Sequence, residues 1–143
     1  WSKVTDDEYE ATKARLVALR ERWLEPLGLY QWDFSWSYVR ESAKFLVDNE
    51  ADPDVVMCCN SRWSYMHAGI GFNMPLCAES DDEALELQFV HELSHVLVNE
   101  LRWREGEDKD GYRMEHEEHV CSVLARAFIS TRAIGAMGEH DLH

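Results

Sequence analysis

The stretch His91-Glu92-Leu93-Ser94-His95 reads H-E-x-x-H, and its three polar side chains are of the types that bind and use a zinc ion. On a helix, residues four apart are separated by about 40° around the axis, so His91 and His95 project side by side and can each offer a ring nitrogen to one metal. Glu92 falls about 60° beyond His95, within reach of a metal-activated water rather than of the metal itself. The chemistry that this layout serves is hydrolysis.

The element that carries the trio must be buried. From Ala84 to Leu101, the residues Leu85, Leu87, Phe89, Val90, Leu93, Val96, Leu97, Val98 and Leu101 cover most of a helix circumference. The main gap in that coat holds Gln88, His91, Glu92, His95 and Asn99. Buried polar groups need partners, so a pair of solvated surface histidines fits this context poorly. A catalytic zinc site usually has a third protein ligand and one open position. A second helical pattern from Glu115 to Ile129 supplies candidates, with an apolar face centred on Val120, Leu124, Ala127 and Phe128. Glu118 sits at the edge of that face, and Cys121, Ser122 and Ala125 follow it at i+3, i+4 and i+7, small enough to let the two helices approach closely. This favours Glu118. Glu117 points further into the apolar face, Glu115 lies about 60° away on the outer side, and His119 is displaced by about 100°; a local distortion could bring any of them in. Carboxylates near a helix N-terminus are favoured by its dipole, and a solvated first turn accounts for Glu115 and Glu117. Ser122 and Asn99 are expected beside the ligands.

On these residues the chain resembles the gluzincins, zincins with H-E-x-x-H on one helix and a ligand glutamate on the next. Glu118, Cys121, Ser122, Leu124 and Ala125 occupy the places of the group's second-helix pattern. The compact size and the short gap between the helices look most like ImmA/IrrE-type and phage-encoded minimal metallopeptidases. The resemblance implies an α+β, zincin-like domain: an N-terminal helix, a short mixed or antiparallel sheet of about three strands, an active-site helix and a following glutamate-bearing helix. It implies one catalytic Zn²⁺ on His91, His95 and Glu118, with Glu92 as general base of a metalloendopeptidase and a peptide or protein as substrate. It also implies that the strand before the metal-binding helix is a sheet edge along the cleft. Ala68, Gly69, Ile70 and Gly71 would then accept an extended peptide by main-chain hydrogen bonds, the glycines letting a second backbone come close. Two departures stand out. Cys121 is found where Ala is commoner, and no residue matches the His or Tyr that polarises the scissile carbonyl in larger relatives. Tyr112 is the candidate for that role, with His116 and His119 behind it. The metzincin pattern does not apply, because it requires Gly and His where this chain has Val98 and Leu101. A zinc-binding module that holds a peptide without cutting it is the alternative reading.

The elements that must position these residues can be read along the chain. Thr5-Asp6-Asp7-Glu8 has the form of a capping box opening a helix that runs toward Trp23 and stops near Pro26-Leu27-Gly28. Trp32, Phe34, Trp36 and Tyr38 alternate with polar residues, which predicts a strand whose aromatic face packs in the core. A polar turn over Asn49 to Asp54 leads to a short strand from Val55 to Cys59, and Met66 to Met74 alternates again as a third strand. His67 on that strand reads as a surface residue. Ser80-Asp81-Asp82-Glu83 is a second capping box at the start of the active helix. Arg102 to Arg113 is charged and glycine-punctuated, expected as a mobile loop over the cleft. Within it Asp108-Lys109-Asp110-Gly111 lacks the downstream glutamate of a calcium loop and reads as a solvated turn. One domain is expected over residues 1 to 133, with a frayed tail from Ile134 to His143.

The chain has 143 residues, enough for one core without disulfide staples. Cys58, Cys59, Cys77 and Cys121 show no framework spacing and are expected as free thiols of a reducing compartment. With 28 acidic against 14 basic residues the net charge is −14, a field that repels phosphate and excludes nucleic acid as a direct partner. No apolar run reaches transmembrane length and no secretory h-region is found, so no membrane partner and a cytoplasmic location are expected. The chain begins at Trp1 without an initiator Met, which leaves room for an upstream segment.

Overall fold

The first helix is opened by a reciprocal cap. The Thr5 hydroxyl oxygen accepts from the Glu8 N–H and the Glu8 carboxylate accepts from the Thr5 N–H, each at 3.2 Å. The computed structural model describes the backbone of residues 3–104 and 112–141, and the side chains of 3–99 and 114–135. Its elements are α1 (Asp6–Trp23), β1 (Asp33–Val39), α2 (Ser42–Asn49), β2 (Met57–Arg62), a 3-10 turn (Trp63–Tyr65), β3 (His67–Asn73), α3 (Met74–Glu79), α4 (Asp82–Arg104) and α5 (Tyr112–Asp141). The fold is α+β with a mixed sheet in the order β1-β3-β2, as expected. β3 pairs parallel with β1 and antiparallel with β2.

The aromatic alternation of β1 does build core. Trp36 stacks on Phe72 of β3 and Phe89 of α4, with ring centroids 6.2 Å apart in both cases, and Tyr38 stacks on Phe72 at 5.2 Å. From the other side α1 contributes the buried Leu16 and Trp23, and its Arg20 guanidinium lies 4.3 Å from the centroid of Trp36. Phe89, Val90, Leu93 and Val96 are the buried face of α4 against this layer. α4 packs against β2 of the sheet and against α5. Arg15 of α1 fixes where it begins, donating to the Ser80 carbonyl at 2.7 Å and to the Asp82 carboxylate at 2.8 Å.

Several expectations are corrected. The strand expected at the sheet edge, β3, is central: Ala68, Gly69, Ile70 and Gly71 have their main chain committed to β1 on one side and β2 on the other, leaving no free edge for a substrate. The room left by Gly71 is taken within the fold, since a Cβ there would meet Cys58 Sγ at 3.3 Å and Phe45 at 3.5 Å. The edge strands are β1 and β2, and β2 is the one that lines the cleft. Two short helices, α2 and α3, were not legible. Asn73, the residue that precedes α3, ties that end of β3 to α2 and the α2–β2 connection: it accepts from the Ser42 hydroxyl at 2.9 Å and donates to the Val55 carbonyl at 3.2 Å. At the start of α4 the cap is Asp81, whose carboxylate accepts the Ala84 N–H at 2.7 Å, while Ser80 turns back to the Leu76 carbonyl at 2.8 Å. The stretch from Ile134, expected as a frayed tail, continues α5 to Asp141; extending an existing helix adds a hydrogen bond per residue and outweighs the cost of Gly135 and Gly138. Part of the expected loop, Arg102 to Arg104, belongs to α4 and its last two residues, Tyr112 and Arg113, to α5; residues 105–111, with the Asp108-to-Gly111 turn, lie outside the described residues.

Because α4 carries the histidines, its N-terminal cap sets their starting register. Asp81→Ala is expected to lower stability by about 1 kcal/mol in urea denaturation. An unchanged midpoint would contradict the cap.

Candidate metal centre

Two helices bring the site together. The close packing of α4 against α5 is made by small residues, with Cys121 and Ala125 fully buried. His91 and His95, one turn apart on α4, turn their rings toward each other with Nε2 atoms 3.2 Å apart. Glu118 of α5 spans the pair: Oε2 lies 3.0 Å from His91 Nε2 and Oε1 lies 2.9 Å from His95 Nε2. Tetrahedral zinc with bonds of about 2.0–2.1 Å holds neighbouring donor atoms roughly 3.3 Å apart, so these separations suit one small cation. Among the described residues this is the group whose ligand atoms all converge, within 4.8 Å of one another.

The outer nitrogens decide which atoms bear protons. His95 Nδ1 is 2.8 Å from Glu117 Oε2 in a buried contact, and a carboxylate can only accept, so Nδ1 carries the hydrogen. His91 Nδ1 faces the Ser122 hydroxyl at 3.4 Å. With both rings neutral and the hydrogen of His91 also on Nδ1, the two Nε2 atoms and the Glu118 carboxylate present lone pairs to one point. Such an arrangement holds only around a cation, whether a proton or a metal.

The titration behaviour expresses the same demand. Contact with His91, then with His95, holds the Glu118 carboxyl well below the usual carboxylate range, against its partial burial. Burial would push the His95 imidazole down, but hydrogen bonds with Cys121, Glu117 and Glu118 outweigh it and raise the group to about 12. Glu92 stands outside this chain of contacts, 8 % exposed and lining the cleft. Burial pushes its carboxyl up to about 7, with His95 and His91 pulling down and Glu118 adding to the rise. Burial likewise raises the thiols of Cys58 and Cys59, which line the cleft, and of Cys121 between the two helices, so all three are held as neutral thiols. All four cysteines are unpaired.

The site lies in an open cleft of about 870 Å³ bounded by the α2–β2 connection, β2, α4 and α5. Of the residues expected here from the sequence, His91, Glu92, His95, Glu118, Ser122 and Asn99 all line it. Glu115 and His119 are exposed and stand apart from the cluster, and His116 is exposed as well. His67 pairs with Asp33 at 3.5 Å, away from the cleft. Tyr112 opens α5, and its side chain lies outside the described residues. Glu117 is the main correction: expected in a solvated first turn, it is buried and orients His95. The signal was present in its helical position facing the apolar side, where a carboxylate must find a partner.

Compared with family models, with curated proteins and with solved structures, the chain matches none. No helix among the described residues is long and apolar enough to cross a membrane.

Two outcomes follow from this geometry. Glu117→Ala, which leaves all three donors in place, is expected to weaken zinc binding by about 10–100-fold, whereas Glu115→Ala leaves it unchanged; a competition titration with a chromogenic chelator measures both. The pH dependence has a definite sign. The raised His95 group stabilises the metal-free protein below its ordinary value of 6.5 and loses that contribution as pH rises toward 12, while the lowered Glu118 group contributes above 4.5 and loses its share as pH falls. Both contributions are in place between those two ordinary values. A metal must displace the His95 proton, so the rise in Tm on adding zinc should be larger at pH of about 8 than at about 5.5. Equal rises would contradict the shared cluster.

Proposed function

We propose that this protein is a zinc-dependent peptidase of the metalloendopeptidase type. The observation that carries the reading is the pairing of a His91–His95–Glu118 donor set with a buried carboxyl, Glu92, free of that set and facing the same open cleft. Two imidazoles and one carboxylate with a fourth position left open is the donor chemistry of catalytic rather than structural zinc. Zinc held there supplies Lewis acidity, lowering the pKa of a water from about 16 to about 7 and polarising a carbonyl oxygen.

The chain's own residues do the rest. Glu92, with an affinity for protons near neutrality, takes a proton from the attacking water and passes it to the departing amine. Glu117 keeps the hydrogen of His95 on Nδ1, so that Nε2 stays a donor to the metal through the cycle. The Ser122 hydroxyl, against His91 Nδ1, can accept the hydrogen of that ring in the same way once Nε2 binds the metal. The buried face of α4 fixes both rings against the sheet, and the cleft stays open to an extended chain along β2, whose outer edge is unpaired among the described residues.

A second reading, a zinc-binding module that holds a peptide without cutting it, draws support from one observation. Apart from the ligand histidines, the described residues lining the cleft include no histidine or tyrosine to polarise a carbonyl. A single variant separates the two. Glu92→Gln is expected to keep bound zinc, measured by elemental analysis, while hydrolysis of a quenched fluorescent peptide library falls by about 100-fold or more. His95→Ala is expected to lose the zinc. Wild-type cleavage rates in Glu92→Gln would show that the assigned base is wrong, and a zinc-loaded wild type that cleaves nothing favours the binding module.

A further inference from the structure

The cleft carries several acceptor groups that have no protein partner among the described residues. Glu50, Asp52 and Asp54, on the α2–β2 connection, are exposed, line the cleft and enter no ion pair among the described residues. Asn99, one turn beyond His95 on α4, lines the same cleft and is 3 % exposed, and its Oδ1 has no hydrogen-bond partner. A buried amide oxygen without a donor costs free energy until a ligand brings one. Against these acceptors stands Arg126, the one Lys or Arg among the described lining residues. A ligand that complements the cleft must therefore bring N–H donors and positive charge.

We propose that the cleft selects a cationic peptide. Its lysine or arginine side chains face Glu50, Asp52 and Asp54, and a main-chain N–H is donated to Asn99 Oδ1. The polymer class rests on the peptidase reading; the charge preference rests on the cleft's own groups. A net charge of −14 attracts any cation to this protein, so selection by the cleft must be separated from that general field.

The test uses the Glu92→Gln protein and two fluorescein-labelled peptides of Gly, Ser and Ala, one with interspersed lysines and one with glutamates in their places. Binding is read by fluorescence anisotropy. The lysine peptide is expected to bind at least about tenfold more tightly than the glutamate peptide. Combining Glu50→Gln, Asp52→Asn and Asp54→Asn should weaken it by about tenfold. Combining Asp7→Asn, Glu10→Gln and Glu21→Gln, which makes the same charge change on exposed positions of α1, should weaken it by less than about threefold. Asn99→Leu is expected to weaken it by about fivefold without lowering Tm, because it removes an unpaired oxygen. Equal affinity for the two peptides, or equal losses in the cleft and α1 variants, would overturn the selection, and an undiminished affinity in Asn99→Leu would overturn the Asn99 contact. Since no cleavage is needed, a wild type that hydrolyses no peptide removes the peptidase reading while this comparison still decides the charge preference.

Discussion

Three lone pairs aimed at one point cannot stay there alone. His91 Nε2, His95 Nε2 and the Glu118 carboxylate lie about 3 Å apart in contacts that, with neutral rings carrying their hydrogens on Nδ1, have no hydrogen between them, so the two helices can then hold this geometry only around a positive charge. In the metal-free protein that charge is a proton, and the upward shift of His95 with the downward shift of Glu118 is its signature. On the account given above zinc takes the proton's place. Much of the molecule serves this requirement: the buried face of α4 that fixes the rings, the small residues of α5 that bring Glu118 close, and Glu117 and Ser122 on the outer nitrogens.

The two faces of α4 have opposite duties. The side packed on the sheet is closed and apolar, with Phe89, Val90, Leu93 and Val96 all at most 2 % exposed. The side facing the cleft carries the polar groups. A carboxyl placed at that boundary is desolvated enough to hold a proton near neutrality, yet it still faces solvent-filled space, which is what general-base chemistry asks of Glu92. The sheet order adds the last feature. With β3 in the centre, the edge toward the cleft belongs to β2, whose outer side is unpaired among the described residues and runs alongside the candidate site.

Local pattern was enough for the features that depend on local physics. The i, i+4 spacing placed His91 and His95 together, the small residues after Glu118 pointed to close helix approach, and period-2 alternation placed the strands to within a few residues. What escaped depends on contacts distant in sequence. Strand order is set by which neighbours β3 can pair with, and Ala68 to Gly71 read the same in an edge as in a centre. α2 and α3 are too short to show a full amphipathic period, and Asn73, which ties the end of β3 to α2, is an ordinary residue in sequence. For Glu117 the local signal is the helix dipole, whereas its partner, His95, lies twenty-two residues away. In that contest burial outranks the dipole, because an unpaired buried carboxylate costs more than a favourable helix end returns.

X-ray diffraction from crystals of protein purified without chelator, recorded on both sides of the zinc absorption edge, tests the central claim most directly. The account predicts one strong anomalous peak at bonding distance, about 2.0–2.2 Å, from His91 Nε2, His95 Nε2 and a Glu118 oxygen. A zinc-supplemented crystal with no peak there, or with the peak held by other side chains, would contradict it.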